Sequence, residues 1–283
     1  MWLTPEEKHL AVERIKSERL ATTKVLDKMD TRKLIAGIRN PITLSTSFMF
    51  LCNNVTVQGL AFFLPTIVAT IYPDRSTVSK QLFTVPPYVL GGFFTLVVPL
   101  ISYKMDRRLI FIILTAPLVM VGYAMFLGTT NAQARYGATF LIAASAFPPG
   151  ALSNAHVSAN VLSDTARSSA IGTNGKVYPP LWSSPIVQSL CTDRSRPVMF
   201  GNIGGLISTW VFIPSDGPRY PIGNGVNLAT SSSILIVGTL TLLWMYWDNK
   251  KRASRSAEEE LAGLTQQQIE DLDWRHPGFR WVP

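Results

Sequence analysis

One uncharged apolar run, residues 82–103, constrains the fold of this chain more than any other feature. A helix needs about 20 apolar residues to cross the hydrocarbon core of a bilayer. The run ends at the charged turn formed by residues 104–108, and basic residues concentrate on the cytoplasmic side of membrane helices. The sequence therefore predicts a span that ends in the cytoplasm and leads through a tight turn into a second span.

Apolar runs of similar length recur along the chain, while charged residues are confined to the stretches between and beyond them. We predict an all-α integral membrane protein with six spans, at about residues 42–71, 82–103, 109–127, 136–161, 168–213 and 223–247. Pro86 and Pro87 fall inside the second span, so we expect that helix to kink or break there. The first span contains Pro65, and the fourth contains Pro148 and Pro149. The domain organisation follows: a polar cytoplasmic segment (residues 1–40), a six-helix membrane domain (41–247) and a cytoplasmic tail (248–283).

The predicted fifth span is interrupted by residues 175–197, which contain four prolines and four charged side chains. Such a segment cannot cross hydrocarbon as a helix. Without it, the flanking residues 168–174 and 198–213 form one uncharged span of ordinary length. We hypothesise that the insert is a retained intron outside the working fold. The alternative is a genuine loop between two half-helices, and transcript sequencing distinguishes the two.

The distribution of lysine and arginine predicts the orientation. Of the 26 basic residues, 19 fall in the N-terminal region, the inner turns and the tail, whereas four fall in the predicted outer loops. Cytoplasmic loops of membrane proteins carry the excess of positive charge. We therefore predict that both ends of the chain are cytoplasmic, which requires an even number of spans, and six satisfies it.

Composition narrows the function classes. The formal net charge of +8 would by itself suit a nucleic-acid-binding protein. The basic residues flank apolar runs, however, so we predict the lipid bilayer and not nucleic acid as a partner. The three histidines are scattered and the two cysteines form no disulfide framework. With no visible metal-ligand cluster, catalytic triad or phosphate-binding loop, we predict neither an enzyme nor a cofactor.

Polar side chains inside the predicted spans are the candidate functional residues. Asn54 and Gln58 lie four residues apart and share a helix face. Such amides either hydrogen-bond between helices or face a water-filled cavity and contact a substrate, and the sequence leaves both open. His156 is the only titratable side chain well placed in a span, because every aspartate and glutamate lies outside the hydrophobic runs that form the spans. The alternative for His156 is an interfacial position near the cytoplasmic end of its helix.

Charges at the predicted inner turns form a second candidate group. Asp106, Arg107 and Arg108 occupy the turn after the second span, and Arg167 occupies the next inner turn. Opposite charges at a tight turn can pair across helices and so control opening. They can also act purely as an orientation signal, and both roles can hold together.

Several motifs in order resemble one family. Residues 82–108 (LFTVPPYVLGGFFTLVVPLISYKMDRR) resemble the seventh and eighth helices, with their inner turn, of fungal major facilitator carriers, closest to the anion:cation symporters such as allantoate, nicotinate and pantothenate permeases. WLTPEE, GLAFFLP, GNIGG, DGPRYPIGNGVNL and HPGFRWVP resemble further segments of that family. The resemblance covers nearly the whole chain except residues 175–197. The inner turn departs from the family pattern, because Tyr103-Lys104-Met105 replaces a Ser-Asp-Arg-like start.

The resemblance implies the C-terminal, six-helix half of a twelve-helix fold that binds substrate between its halves. It implies transport of a small organic anion by alternating access, with a proton as the candidate coupling ion, in the plasma membrane. The residues expected to line the central cavity are Asn53, Gln58, Tyr88, Asn154 and His156. Transport would then require the N-terminal half or a homodimer. The alternative is a truncated or mis-spliced membrane protein that does not transport.

Overall fold

The computed structural model describes residues 37–161, 200–217, 219–254, 260–265 and 272–283, together with positions 4, 6, 7, 10, 35, 167, 171, 268 and 269. The predicted insert at residues 175–197 and most of the polar segment 1–40 lie outside the described residues. Within the described ranges the regular elements are helices. They are α1 (Pro41–Ile71), α2 (Thr77–Leu82), α3 (Val85–Met105), α4 (Arg108–Gly128), α5 (Ala132–Ala146), α6 (Pro148–Ala159), α7 (Phe200–Val211) and α8 (Pro221–Ala253).

Helix α1 matches the predicted first span to within one residue. Asn40 caps its N-terminus, because its side chain accepts a hydrogen bond from the Ile42 N–H at 2.8 Å. Pro41 follows as the first helical residue, where its missing N–H leaves no intrahelical bond unmade. The helix continues through Pro65 and ends at Ile71, next to the loop that contains Pro73 and Asp74.

The helix at the predicted second span begins just before its prolines, which corrects the kink or break expected at Pro86 and Pro87. Helix α2 ends at Leu82 and α3 begins at Val85, so Pro86 and Pro87 occupy the first turn of α3. Prolines are tolerated there because the first N–H groups of a helix have no carbonyl partner within it. The predicted outer loop between the first two spans is correspondingly shorter, because α2 takes up part of it.

The predicted fourth span consists of two helices, which corrects the single helix expected at residues 136–161. Helices α5 and α6 meet at Phe147, which keeps helical backbone angles (φ −77°, ψ −42°). The helix is interrupted because Pro148 and Pro149 lack the N–H groups that would bond to the preceding turn. Helix α5 also begins earlier than expected, at Ala132, capped by the side chain of Asn131.

The helices form one bundle around α1 and α4. Helices α5, α6 and α8 each pack against both of these, and α7 packs against α1. One core cluster joins the C-terminal part of α1 to α4 and α5. A second joins the N-terminal part of α1 to α4, α8 and residues 279–281. Residues from the predicted polar tail are therefore part of the packed core.

Four helical segments are long and apolar enough to cross a membrane: Pro41–Ile71, Thr77–Met105, Arg108–Gly128 and Pro221–Ala253. Within the described residues, α5, α6 and α7 are each too short to span alone. Laid end to end, α5 and α6 cover residues 132–159, which is a sufficient length at about 1.5 Å per residue. The six-span topology therefore stays a prediction.

Candidate functional site

The shared polar face of α1 points at α7. A Cβ atom added to Gly204 would lie 3.0 Å from the Asn54 Cβ, and one added to Gly205 would lie 3.4 Å from the Gln58 Cγ. The two amides therefore do lie on one face, as their spacing predicts. Asn54 is buried at this contact, which fits a helix-packing role, whereas Gln58 is only half-buried and remains accessible.

Tyr88 connects three helices near the start of α3. Its hydroxyl donates a hydrogen bond to the Ala61 carbonyl of α1 at 3.3 Å. Its ring stacks on Phe147 with 6.0 Å between ring centroids. The side chain is half-buried, so Tyr88 both positions α3 and presents an aromatic surface.

Asn154 and His156 lie on opposite sides of α6, because residues two positions apart in a helix do not face each other. Asn154 is half-buried, and its Oδ1 has no hydrogen-bond partner among the described residues. His156 is fully buried, with Nδ1 at 3.5 Å from the Asn160 Nδ2. Part of the Asn154 residue is therefore accessible although its Oδ1 is buried, whereas His156 is enclosed by protein.

The five predicted cavity residues do not form one hydrogen-bonded cluster in the described part of the chain. Gln58, Tyr88 and Asn154 are half-buried, whereas Asn53 and His156 are buried. Their role as substrate contacts stays a prediction.

The charged turn between α3 and α4 is held locally and by one contact to α8. Asp106 ends α3 in the left-handed conformation, with φ 51° and ψ 34°. Its carboxylate lies 3.6 Å from the Arg108 guanidinium, and because Asp106 is exposed the pair adds little stability. Arg107 donates to the Tyr246 hydroxyl at 2.9 Å and so fixes the turn to α8. Arg167 donates to the Val161 carbonyl at 3.2 Å, at the end of α6.

The backbone at Asp106 leads to a testable stability difference. Left-handed geometry costs most side chains about 1 kcal/mol or more, but asparagine and aspartate tolerate it. We expect Asp106→Ala to lower the free energy of unfolding by about 1 kcal/mol, and Asp106→Asn to change it by less than about 0.5 kcal/mol. Both variants remove the same charge, so denaturant titration in detergent isolates the backbone effect. Equal losses in the two variants would mean that the charge is what matters.

Sequence reasoning missed Asn160, which lies where the residue 106–108 turn, the end of α6 and residues 248–253 meet. We call this end of the bundle the inner end, after its predicted orientation. Asn160 is fully buried and bonds to Val282, 122 residues away. Its backbone carbonyl accepts from the Asn40 side chain at 3.2 Å. No local pattern signals contacts of such long sequence separation.

Sequence reasoning also missed a buried polar group near the other end of the bundle. Ser208 of α7 and Asn227 of α8 are fully buried, and both lie within 3.6 Å of the position that a Gly59 Cβ would occupy. The Ser208 Oγ and the Asn227 Oδ1 have no hydrogen-bond partner among the described residues. Polar residues within apolar helices, the signal that identified Asn54 and Gln58, could also have identified Ser208 and Asn227.

A second histidine, His276, shapes the tail. Burial lowers the pKa of His276 below its ordinary value, and the Nδ1 of its imidazole accepts the Gly278 N–H at 3.1 Å. That hydrogen bond needs the unprotonated Nδ1. It therefore stabilises the tail fully above the ordinary histidine pKa, and the contribution is lost as the pH falls through the lowered pKa.

The described residues contain no group of three or more potential metal ligands. The arrangement therefore consists of amides, one aromatic hydroxyl and a buried imidazole in a helical bundle. Side chains of this kind bind a polar solute by hydrogen bonds and form no covalent intermediate in doing so.

Comparisons with known proteins give a consistent result. An uncharacterised transporter of Schizosaccharomyces pombe is 27% identical over 240 residues, which are 85% of this chain and 43% of that protein. The high-affinity nicotinic acid transporter of Saccharomyces cerevisiae is 24% identical over 270 residues, 94% of this chain and 46% of its own. The MFS-type transporter cnsO of Penicillium expansum is 25% identical over 235 residues, which are 81% of this chain and 40% of that protein.

The chain spans about half the length of the curated relatives it matches. No family model matches the chain. No solved structure matches it either. The relatives are transporters by name and not enzymes. The chain is therefore similar, over most of its length, to fungal transporters of the MFS type, and it carries helices suited to cross a membrane several times.

Proposed function

We propose that this chain serves membrane transport of a small organic anion, such as a carboxylate or vitamin, as the C-terminal half of a major facilitator secondary transporter. The observation that carries the proposal is the similarity to transporters over most of the chain, including one named for nicotinic acid. The absence of carboxylates from the predicted spans also suits a negatively charged solute, because such groups would repel it.

Within this proposal, Gln58, Tyr88 and Asn154 contact the substrate, because they are the accessible members of the predicted set. Asn53 and His156, which are buried, have a supporting role in this proposal. Asp106, Arg107, Arg108 and Arg167 act at the inner end in gating or orientation. Both ends of the chain face the cytoplasm, and a proton is the candidate coupling ion.

Transport by alternating access requires two halves that rock against each other. Six helices supply one wall of the central cavity, and a second wall comes from an N-terminal half or from a second copy of the chain. The rival function is a membrane protein that does not transport.

Uptake measurements test the proposal. We expect purified chain alone in lipid vesicles to take up no more labelled nicotinate than protein-free vesicles, because one wall of the cavity is missing. We expect saturable uptake of a small carboxylate when the chain is joined behind the N-terminal half of the nicotinic acid transporter. Tyr88→Ala should reduce that uptake at least about tenfold, because it removes a ring that stacks and a hydroxyl that forms a hydrogen bond.

The matched control is the neighbouring Val89→Ala, because Val89 is 66% exposed on the outer surface of α3. It should leave uptake unchanged. Saturable uptake by the chain alone would contradict the two-wall requirement. A joined protein that inserts in the membrane but transports none of nicotinate, pantothenate and allantoate would favour the non-transporting function.

A further inference from the structure

The last five described residues, 279–283, which we call the strap, lie against the inner end of the bundle. The side chains of Phe279 and Trp281 are 3% and 2% exposed. They belong to the same core cluster as Met49 of α1 and Leu109 of α4. The Trp281 indole also donates a hydrogen bond to the Asp248 carboxylate at 2.6 Å. The strap is therefore packed as core and not as a surface tail.

Two asparagine side chains bind the strap backbone. Asn249 of α8 accepts the Trp281 N–H at 2.8 Å and donates to the Trp281 carbonyl at 2.9 Å. Asn160 at the end of α6 does the same with Val282, at 2.9 and 3.0 Å. Each side-chain amide thus bonds to both the N–H and the carbonyl of one strap residue. Two opposite residues of adjacent antiparallel strands exchange the same pair of hydrogen bonds.

The strap joins two helices, α6 and α8, whose main packing is against other helices. Helices α6 and α8 each pack mainly on α1 and α4. The strap bonds to α6 through Asn160 and to α8 through Asn249. The Pro283 carbonyl also accepts the Arg108 N–H at 2.9 Å. This N–H lies at the start of α4 and has no partner within the helix, so the strap caps α4 as well.

Helix α6 is the element that such a connection would restrain. It is only 12 residues long and is separated from α5 by the proline junction at Phe147. A helix interrupted by prolines bends there more easily than elsewhere, because backbone hydrogen bonds are missing. The C-terminal end of α6 is held at Asn160. The Asn160 side chain bonds to the strap, and the Asn160 carbonyl accepts a hydrogen bond from the Asn40 side chain.

We propose that residues 279–283 form a releasable clasp, a peptide segment bound in cis between Asn160 and Asn249, whose release frees the inner end of α6 to move. The clasp is closed in this structure. Asn249 serves it specifically, because both hydrogen bonds of its side chain go to Trp281. Asparagine is otherwise a weaker helix former than alanine, so its place within α8 is explained by the strap.

Cysteine labelling tests the clasp in the full chain carrying Cys191→Ser and Val161→Cys. Val161 adjoins Asn160 and is 2% exposed, and the native Cys52 is 3% exposed in the core. Mass spectrometry follows maleimide labelling at both sites in detergent. Asn249→Ala should raise the rate at position 161 about tenfold, since it removes two hydrogen bonds, while Cys52 stays protected. Arg280→Ala is the matched control, because within the described residues the Arg280 side chain bonds to the nearby carbonyls of Pro277 and Phe279 and to neither α6 nor α8.

A second comparison separates the clasp from general helix packing. In a chain that ends at Gly278, position 161 should already label rapidly, and Asn249→Ala should add nothing. An unchanged rate in the full-length Asn249→Ala variant would overturn the proposal. So would an equal acceleration by Asn249→Ala with and without the strap, because Asn249 would then act other than through the strap. Labelling of Cys52 in step with position 161 would also overturn it, because it would show loss of the whole fold.

Discussion

Replacing Gly204 with alanine is expected to lower the free energy of unfolding by about 3 kcal/mol, because overpacking costs up to about that much when the obstacle is rigid. The new Cβ would lie 2.6 Å from the Leu51 carbonyl oxygen and 3.1 Å from the Val55 nitrogen. Both atoms belong to the backbone of α1 and cannot move aside as a side chain can. Helix α7 would have to withdraw from α1, which is its main neighbour.

The matched control is Gly205→Ala, one position further along the same helix. Its Cβ would meet only the Gln58 side chain, at 3.4 Å, which is an ordinary contact. Since alanine favours a helix over glycine by about 1 kcal/mol, this variant should be neutral or slightly stabilised. Denaturant titration in detergent compares the two variants. Similar stabilities would show that α7 does not pack on α1 through Gly204.

Replacing Arg252 with leucine is expected to lower the free energy of unfolding by about 2–3 kcal/mol, because it removes one partner of a largely buried ion pair. The Arg252 Nε lies 2.6 Å from the Asp248 carboxylate, and both side chains are less than 20% exposed. Its Nη1 donates to the carbonyls of Trp274 and His276 at 3.1 and 3.2 Å. One guanidinium therefore holds the tail on α8.

Two variants control for charge and shape. Lys251→Leu removes the same charge from the same turn, but Lys251 is exposed and contacts the Trp247 ring at 5.2 Å, so we expect a loss below about 1 kcal/mol. Arg252→Lys keeps the charge without the planar fork and should fall between the two. Thermal unfolding in detergent ranks all three. Equal effects of the leucine variants would reduce the role of Arg252 to net charge.

The sequence predicted the helical class and the bounds of the simplest helices well. Helix α4 extends one residue beyond the predicted third span at each end, because a charged turn and a short polar loop mark its limits. The shared face of Asn54 and Gln58 also followed from helical periodicity alone. Properties set by local sequence, such as charge, apolar length and spacing, were therefore predictable.

The interruption at Phe147 and the docked tail were not predicted. The prolines were visible, but whether a helix bends at prolines or separates into two depends on the neighbours that pack there. The tail was predicted as polar and cytoplasmic, yet Trp281 is buried through contacts with Asp248 and Asn249, more than 30 residues away. The relative positions of the cavity residues depend on tertiary packing in the same way, and no periodicity encodes them.

The junction at Phe147 also determines how movement spreads through the bundle. A Cβ at Gly91 would lie 2.5 Å from the Phe147 ring, so this ring fills the notch that Gly91 leaves in α3. The same ring stacks on Tyr88, which bonds to α1. Any change of angle between α5 and α6 must therefore push on α3 through the Phe147 ring. Bending between α5 and α6 at Phe147 is therefore coupled to movement of α3 and does not occur independently of it.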